Sequence, residues 1–180
     1  MAMLGAFAVP HPPLILPEIG RGEERRIQAT IDAYREAMRR AAALRPETVV
    51  VTSPHSTMYA DYFHISPGAG ASGDFGAFRA PEVKVTAVYD DEFARAIGEA
   101  CREAGVDGGT AAPREPQLDH GTMVPLRFLQ EVMPACKVVR IGLSGMSPLQ
   151  HYCFGVSIAL AAERLGRRVV HIASGDLSHK

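Results

Sequence analysis

The chain alternates between short apolar runs and longer stretches in which apolar residues recur at helical spacing. The clearest run, Val49-Val50-Val51-Thr52, is rich in β-branched residues, and the pair Pro54-His55 follows it closely. A strand that is buried on both faces of a parallel sheet has this pattern. Further apolar runs predict strands at residues 4–9, 83–88, 137–143 and 167–173.

Helical periodicity separates these runs. Between residues 23 and 44, one apolar face is formed by Ile27, Ile31, Tyr34, Met38 and Ala41. A second helix is predicted to be capped by Asp90 and Asp91 and to run through residue 104, with Cys101 on its buried side. A third is predicted to begin with Thr122 as its N-cap, which places Pro125 in the first turn. The last is predicted from Ser147-Pro148 to about Leu165, with Gly166 after it.

The alternation of strands and helices predicts an α/β fold of three layers, with a mostly parallel central sheet and helices on both faces. In such sheets, ligands bind at the carboxyl ends of the strands, so the active site is expected there. Two other segments carry weaker patterns. Residues 59–65 predict a half-exposed strand with His64 on the sheet surface, and residues 68–73 predict a flexible glycine-rich loop.

Composition narrows the classes of function. The chain has 180 residues, which suits one domain, and its net charge of −1 gives no electrostatic case for binding nucleic acid or an anionic membrane. No apolar run approaches the ~20 residues that cross a bilayer. The three cysteines are scattered, which favours reduced thiols and a cytoplasmic protein over a disulfide framework.

The positions of the histidines indicate a site. His11, His55, His120 and His179 come directly after apolar runs or at the start of a helix, where a parallel sheet would bring them together. The other three lie inside predicted elements: His64, His151 and His171. Taken singly, each of the first four fits an ordinary loop histidine. Together they suit a metal site or acid–base chemistry, and two histidines with a carboxylate would suit Fe(II) or catalytic zinc.

Four short motifs carry a resemblance to a known family. They are His11-Pro12-Pro13, Ser53-Pro54-His55, Asp119-His120-Gly121 and Gly175-Asp176-Leu177-Ser178-His179. In this order they resemble the four histidine motifs of the class III extradiol ring-cleavage dioxygenases, the enzymes related to the catalytic subunit of protocatechuate 4,5-dioxygenase. The resemblance covers essentially the whole chain, and it is nearest to the Memo-like branch of that superfamily.

The resemblance implies a role for each histidine. His11 and His55 would be the metal ligands for Fe(II), although zinc could occupy the site in a purified sample. His179 would be the acid–base that takes a proton from a catechol hydroxyl, and His120 would line the substrate and oxygen side of the metal. The implied partners are a small aromatic diol and O2, with no nucleic acid or membrane.

The resemblance also implies a third ligand, a glutamate well downstream of the last histidine motif. The sequence ends at Lys180, so we expect residues 1–180 to form a single catalytic domain that is incomplete at its C-terminus. Asp119 and Asp176 are the carboxylates next to the motifs, and the resemblance makes neither of them a ligand. We expect the sheet surface that a further segment would cover to be exposed and apolar, and therefore a homo-oligomer.

Two alternative functions stay open on the sequence alone. The chain could be a non-catalytic protein of the same fold, like the Memo proteins, that holds a metal or small ligand in the old active site. It could also be a zinc-dependent hydrolase that uses the same histidines.

Overall fold

The computed structural model describes residues 2–176. Its central sheet has six strands, β1 Met3–Val9, β2 Thr48–Ser53, β4 Gly70–Phe75, β5 Ala80–Tyr89, β7 Lys137–Gly142 and β8 Val169–Ser174. They lie in the order β1-β8-β2-β7-β5-β4. The pairs β1–β8, β8–β2, β2–β7 and β7–β5 are parallel, and β4 pairs antiparallel to β5 at one edge. The predicted mostly parallel sheet is therefore confirmed.

Helices cover both faces of this sheet. Their bounds are α1 Pro17–Gly20, α2 Gln28–Ala43, α3 Asp91–Glu103, α4 His120–Gln130 and α5 Pro148–Leu165. Short 3-10 turns lie at Pro13–Ile15, Glu23–Ile27 and Gly76–Phe78. The core on one face contains residues of α2 and α4, and the core on the other contains residues of α3 and α5. Alternate residues of β2 supply both cores, since Val49 and Val51 face one and Val50 faces the other.

The helix ends that the sequence marks most clearly lie where they were predicted. Asp90 caps α3 through the backbone N–H of Phe93, and Cys101 is fully buried on that helix. Ser147 forms a reciprocal cap with Gln150 at the start of α5, and Gly166 ends the helix in a left-handed conformation. Among the described residues, no helix is both long and apolar enough to span a membrane.

The start of α4 differs from the prediction. The N-cap is Asp119, whose side chain accepts from the backbone N–H of Thr122, and the helix begins at His120. Thr122 is thus already inside the first turn, and Pro125 lies in the second turn instead of the first. Both Asp and Thr cap helices well, so the capping preference alone could not choose between them.

Two weaker predictions were wrong. Only Phe63–His64 of residues 59–65 forms a strand, β3, which pairs with β6 Gly108–Gly109 in a separate small sheet. His64 is fully buried there and does not lie on a sheet surface. The glycine-rich segment is also not a loop throughout, because β4 begins at Gly70 and adds an antiparallel edge strand to the main sheet.

Candidate metal centre

Four chain segments meet at the carboxyl edge of the parallel strands. In the sheet register, Val9 at the end of β1 lies beside Ser174 at the end of β8. Ser53 at the end of β2 lies beside Gly142 of β7. His11 and His55 therefore leave neighbouring parts of one sheet edge. A simple strand–helix–strand unit would place β1 and β2 side by side. In this sheet they are not direct neighbours, because β8 lies between them.

Three imidazoles lie together at this edge. One nitrogen from each of His11, His55 and His120 falls in a group whose members are all within 4.8 Å of one another, so the three could hold a metal ion. The Nε2 atoms of His11 and His55 are 3.0 Å apart. The ring centroids of His55 and His120 are 4.0 Å apart.

The donor set fits a metal ion. Two nitrogens that each lie about 2.1 Å from one ion, at right angles to each other, would be about 3.0 Å apart. This is the separation of the Nε2 atoms of His11 and His55. Neutral imidazole is the commonest protein ligand for transition metals such as iron and zinc.

The site opens to solvent on one side. His11 is buried, His120 is half-buried and His55 is exposed. A pocket of about 410 Å³ lies against the cluster and is lined by His11, Pro54, His55, Leu143, Ser174, Gly175 and Asp176. A small ligand could therefore approach the histidines from the side of His55. A pocket of about 540 Å³ next to α3 contains none of these residues.

Asp119 fixes the start of α4 against the end of β2. One of its carboxylate oxygens accepts from the hydroxyl of Ser53 at 2.5 Å and from the backbone N–H of Thr122 at 2.9 Å. The other accepts from the Thr122 hydroxyl at 2.8 Å and from Arg140 at 2.9 Å. Burial works to raise the pKa of Asp119, but these hydrogen bonds and the charge of Arg140 outweigh it and lower the pKa. Both oxygens of Asp119 are thus engaged in anchoring the first turn of α4, which begins at His120.

Arg140 is the buried charge behind this arrangement. It lies in β7, is only 2% exposed, and pairs with Glu115 and Asp119 at 2.9 Å each. It also donates to the backbone carbonyl of Gln117 at 3.1 Å. A buried charge with several partners can be stable, whereas removing one partner would be costly.

Gly121 allows α4 to approach β2 closely. A Cβ at this position would collide with the Ser53 hydroxyl and would lie 3.1 Å from the Cδ2 atom of His55. The third residue of the Asp119-His120-Gly121 motif is therefore small because the helix packs its first turn directly against the Ser53-Pro54-His55 turn. In that turn, the backbone N–H of His55 donates to the Ser53 hydroxyl at 3.1 Å.

The electrostatics of the cluster keep His120 neutral near pH 7. Burial has the largest effect and lowers the pKa of His120, and the neighbouring His55 and His11 lower it further. Asp119 and Asp176 act in the opposite direction. A neutral imidazole can offer a lone pair to a metal or accept a proton from a ligand hydroxyl. Asp176 also approaches the cluster, with its Oδ2 atom 3.7 Å from His11 Nε2.

The structure thus brings together His11, His55 and His120, three of the four histidines singled out in the sequence. The fourth, His179, lies outside the described residues. His151 and His171 are in α5 and β8 and are not part of the group, as their positions inside elements predicted. His171 instead contacts the Thr52 hydroxyl at 3.3 Å.

Two residues that organise the site were missed as functional positions in the sequence. Arg140 could have been found, because a charge inside the apolar run of β7 signals a buried ion pair. Ser174 gives no such signal, although its hydroxyl lies 3.0 Å from His11 Nδ1. A serine at the end of a strand is ordinary, and its partner is 163 residues away in the chain.

Comparison with known proteins gives a family match along nearly the whole chain. Residues 5–180 match the profile of the catalytic LigB subunit of aromatic ring-opening dioxygenase. Protein CA_C1420 of Clostridium acetobutylicum is 34% identical over 187 residues, which cover 100% of this chain and 40% of that protein.

A second relative has a named activity. The 2,3-dihydroxyphenylpropionate/2,3-dihydroxicinnamic acid 1,2-dioxygenase of Escherichia coli is 32% identical over 154 residues, which cover 80% of this chain and 47% of that protein. The chain thus spans less than half the length of either relative.

Proposed function

Because the chain belongs to the family of catalytic LigB subunits of aromatic ring-opening dioxygenases, we propose that it forms a non-haem Fe(II) dioxygenase domain. The domain would open a catecholic ring with O2 beside its two hydroxyl groups, and both oxygen atoms would enter the product. The observation that carries this proposal is the group of three imidazoles at the carboxyl edge of the sheet.

In this proposal His11 and His55 hold the metal. Their Nε2 atoms are 3.0 Å apart, and both follow stiff proline-containing turns that limit their movement. Bound Fe(II) would act as a Lewis acid and as a template for the substrate and O2. A carboxylate would complete the usual set of two histidines and one acid. Among the described residues, Asp176 brings a carboxylate close to His11, whereas the family resemblance gives this role to a glutamate.

The remaining histidines handle the substrate. His120 is half-buried beside His55 and uncharged near pH 7, so it can orient a substrate hydroxyl by a hydrogen bond. Phe78 lies 5.3 Å from the His120 ring and adds an aromatic surface next to it. By the family resemblance, His179 would take the proton from the second hydroxyl. The pocket of about 410 Å³ on the exposed side of the cluster would receive the ring.

A zinc-dependent hydrolase is a second candidate, and the three histidine donors are the observation that supports it. Three histidines with an open position are the ligands of one well-known class of catalytic zinc site. Zinc has no redox chemistry, so a zinc protein with this site would not consume O2.

One experiment separates these functions. The purified protein is loaded anaerobically with Fe(II) or with Zn²⁺, and each sample then receives 2,3-dihydroxyphenylpropionate, or a model ester, in air. Our proposal expects O2 uptake and a ring-opened chromophore with Fe(II) only. Ester hydrolysis by the zinc form would support the hydrolase. Bound Fe(II) without O2 uptake across a panel of catechols would indicate a non-catalytic binding protein.

Single-residue variants test the proposed roles. His55→Ala is expected to abolish Fe(II) binding, because it removes one of the two proposed ligands. His120→Ala is expected to keep the metal and to lower ring cleavage by about 10²–10⁴-fold. His151→Ala is the matched control, since this histidine lies on α5 and contacts the backbone of Ser147 instead of the cluster. Metal content and O2 uptake are measured on the same samples.

A further inference from the structure

His11 is connected to α4 by a chain of two hydrogen bonds. Its Nδ1 atom lies 3.0 Å from the hydroxyl oxygen of Ser174, at the end of β8. The Ser174 hydroxyl in turn donates to the backbone carbonyl of Gly121 at 2.5 Å. His11 is 2% exposed and Ser174 is 7% exposed, so water competes little with either bond.

The direction of these bonds follows from the donors available. A serine hydroxyl has a single proton, and the Gly121 carbonyl can only accept. The Ser174 proton therefore lies towards Gly121, and the Ser174 oxygen must accept in its contact with His11. It follows that the neutral ring of His11 carries its proton on Nδ1. The Nε2 atom, which faces His55 at 3.0 Å, then presents a lone pair to the cluster.

The helix sequence explains why this carbonyl needs a donor. In a regular helix the Gly121 carbonyl would accept from the N–H of residue 125. Residue 125 is proline, which has no N–H, and it lies inside α4. A buried carbonyl without a donor is costly, so a hydroxyl supplied by β8 satisfies a need that Pro125 creates.

We propose that Ser174 is a positioning residue that holds His11 in the tautomer able to bind metal through Nε2. The inference rests on the proposed function, in which His11 is a metal ligand. Ser174 does not touch the metal in this scheme. It acts through His11, as the outer hydrogen-bond partners of metal-binding histidines do elsewhere, where their loss lowers affinity by about 10–100-fold.

The first test reads the tautomer directly in the metal-free protein. Two-bond ¹H–¹⁵N correlation spectra of the ¹⁵N-labelled protein identify which ring nitrogen of His11 carries the proton, with His11→Gln used for assignment. We expect a protonated Nδ1 in the wild-type protein. A ring protonated on Nε2, or a mixture of the two tautomers, would overturn the inference whether or not metal binds.

The second test measures metal affinity with Co²⁺ as an optical probe. Ser174→Ala is expected to weaken Co²⁺ binding by about 10–100-fold and to give a mixture of tautomers, and Ser174→Thr is expected to restore both. Ser157→Ala is the matched control. Its hydroxyl is also buried and donates to a backbone carbonyl, that of Cys153, but in α5, on the sheet face opposite α4.

The two tests keep the inference separate from the proposed function. If Ser174→Ala binds Co²⁺ as tightly as the wild type and keeps Nδ1 protonated, Ser174 is not the positioning residue. If the wild type shows the expected tautomer but does not bind Co²⁺, the metal function fails while the assignment of the His11 proton is upheld. If Ser174→Ala does not fold, the wild-type spectrum decides the tautomer by itself.

Discussion

At the scale of single residues, Gly121 is where added volume would disturb the site most directly. Gly121→Ala places a methyl group against the Ser53 hydroxyl and close to the His55 ring. Overpacking of this kind costs about 1–3 kcal/mol of unfolding free energy. We expect this loss in urea denaturation, together with weaker Co²⁺ binding, because the His55 turn must move away from α4.

A glycine elsewhere in the chain provides the control for this substitution. Gly155 is in α5, and a Cβ there would meet nothing within 4 Å. Gly155→Ala should therefore stabilise the protein by up to about 1 kcal/mol and leave Co²⁺ binding unchanged. Equal effects of the two substitutions would show that Gly121 matters only for helix propensity.

His64 gives a residue-scale prediction about pH. It is fully buried, and neither ring nitrogen has a hydrogen-bond partner among residues 2–176. Burial lowers its pKa, and nearby Glu115 offsets only part of this effect. The unfolded chain takes up the proton near pH 6.5, while the folded form resists it to lower pH. Stability is therefore expected to fall as the pH drops below about 6.5, by at most about 1.4 kcal/mol per pH unit for this group.

The measurement is the free energy of unfolding in urea between pH 7.5 and pH 5. His64→Leu should flatten the pH dependence, because it removes the group that the unfolded state protonates more readily. His120 and His171, whose pKa values burial also lowers, should contribute to the part that remains. An unchanged slope in His64→Leu would mean that the folded protein protonates His64 as easily as the unfolded chain does.

The residue scale also shows what the sequence could predict of the site. His11, His55 and His120 were predicted because each follows a strand or opens a helix at the same sheet edge. The hydrogen bond between His11 and Ser174 could not be predicted, since it depends on the exact register of β1 and β8. Sequence patterns identify the faces of elements, but they do not give distances between side chains.

At the scale of elements, Pro125 removes from α4 the backbone N–H that would otherwise donate to the Gly121 carbonyl. Pro125→Ala introduces an N–H that competes with Ser174 for the Gly121 carbonyl. We expect a partial change in the His11 tautomer and a loss of Co²⁺ affinity smaller than that of Ser174→Ala, since a carbonyl has two lone pairs. If this variant has the spectra and the Co²⁺ affinity of the wild type, the Ser174 hydroxyl still donates to the Gly121 carbonyl in the presence of the N–H of residue 125.

The elements differ in how well the sequence predicted them. α5 was predicted at both ends because Ser147, Pro148 and Gly166 are strong local signals. The start of β4 was predicted as a loop because two of its six residues are glycine and a third is aspartate, and both residue types are unfavourable in strands. Its pairing with β5 overrides that preference, and this tertiary contact could not be read from the local sequence.

At the scale of the whole molecule, an exposed apolar stripe on α5 supports the expectation of self-association. Leu149 and Tyr152 are 70% and 71% exposed, and the stripe continues through Val156 and Leu160. Contiguous apolar surface of this kind favours association. We expect the purified chain to form oligomers through α5, measured by sedimentation velocity across a concentration series.

Two positive charges introduced on this stripe test the expected self-association. The double variant Leu149→Lys, Tyr152→Lys should shift the distribution towards monomer without lowering Co²⁺ affinity, because α5 lies on the sheet face opposite α4. Val88→Lys is the control, since Val88 is an apolar residue that is 59% exposed and lies in β5, outside α5. A monomeric wild type at every concentration would contradict the expectation outright.

The strand order was the least predictable feature at this scale. The sequence indicates a parallel sheet, but it does not indicate that β8 inserts between β1 and β2. Either order would leave the histidines at the carboxyl edge, so the site could be predicted more reliably than the topology that builds it.

The position of β8 also sets when the site can exist during synthesis. β1 has β8 as its neighbour in the main sheet, and this partner begins at Val169, long after His11 has left the ribosome. At about 5–20 residues per second, the delay is roughly 10–30 seconds. Until then, β1 has no strand to pair with and His11 has no serine to orient it. A nascent chain is therefore expected not to bind metal at this site until β8 has been synthesised.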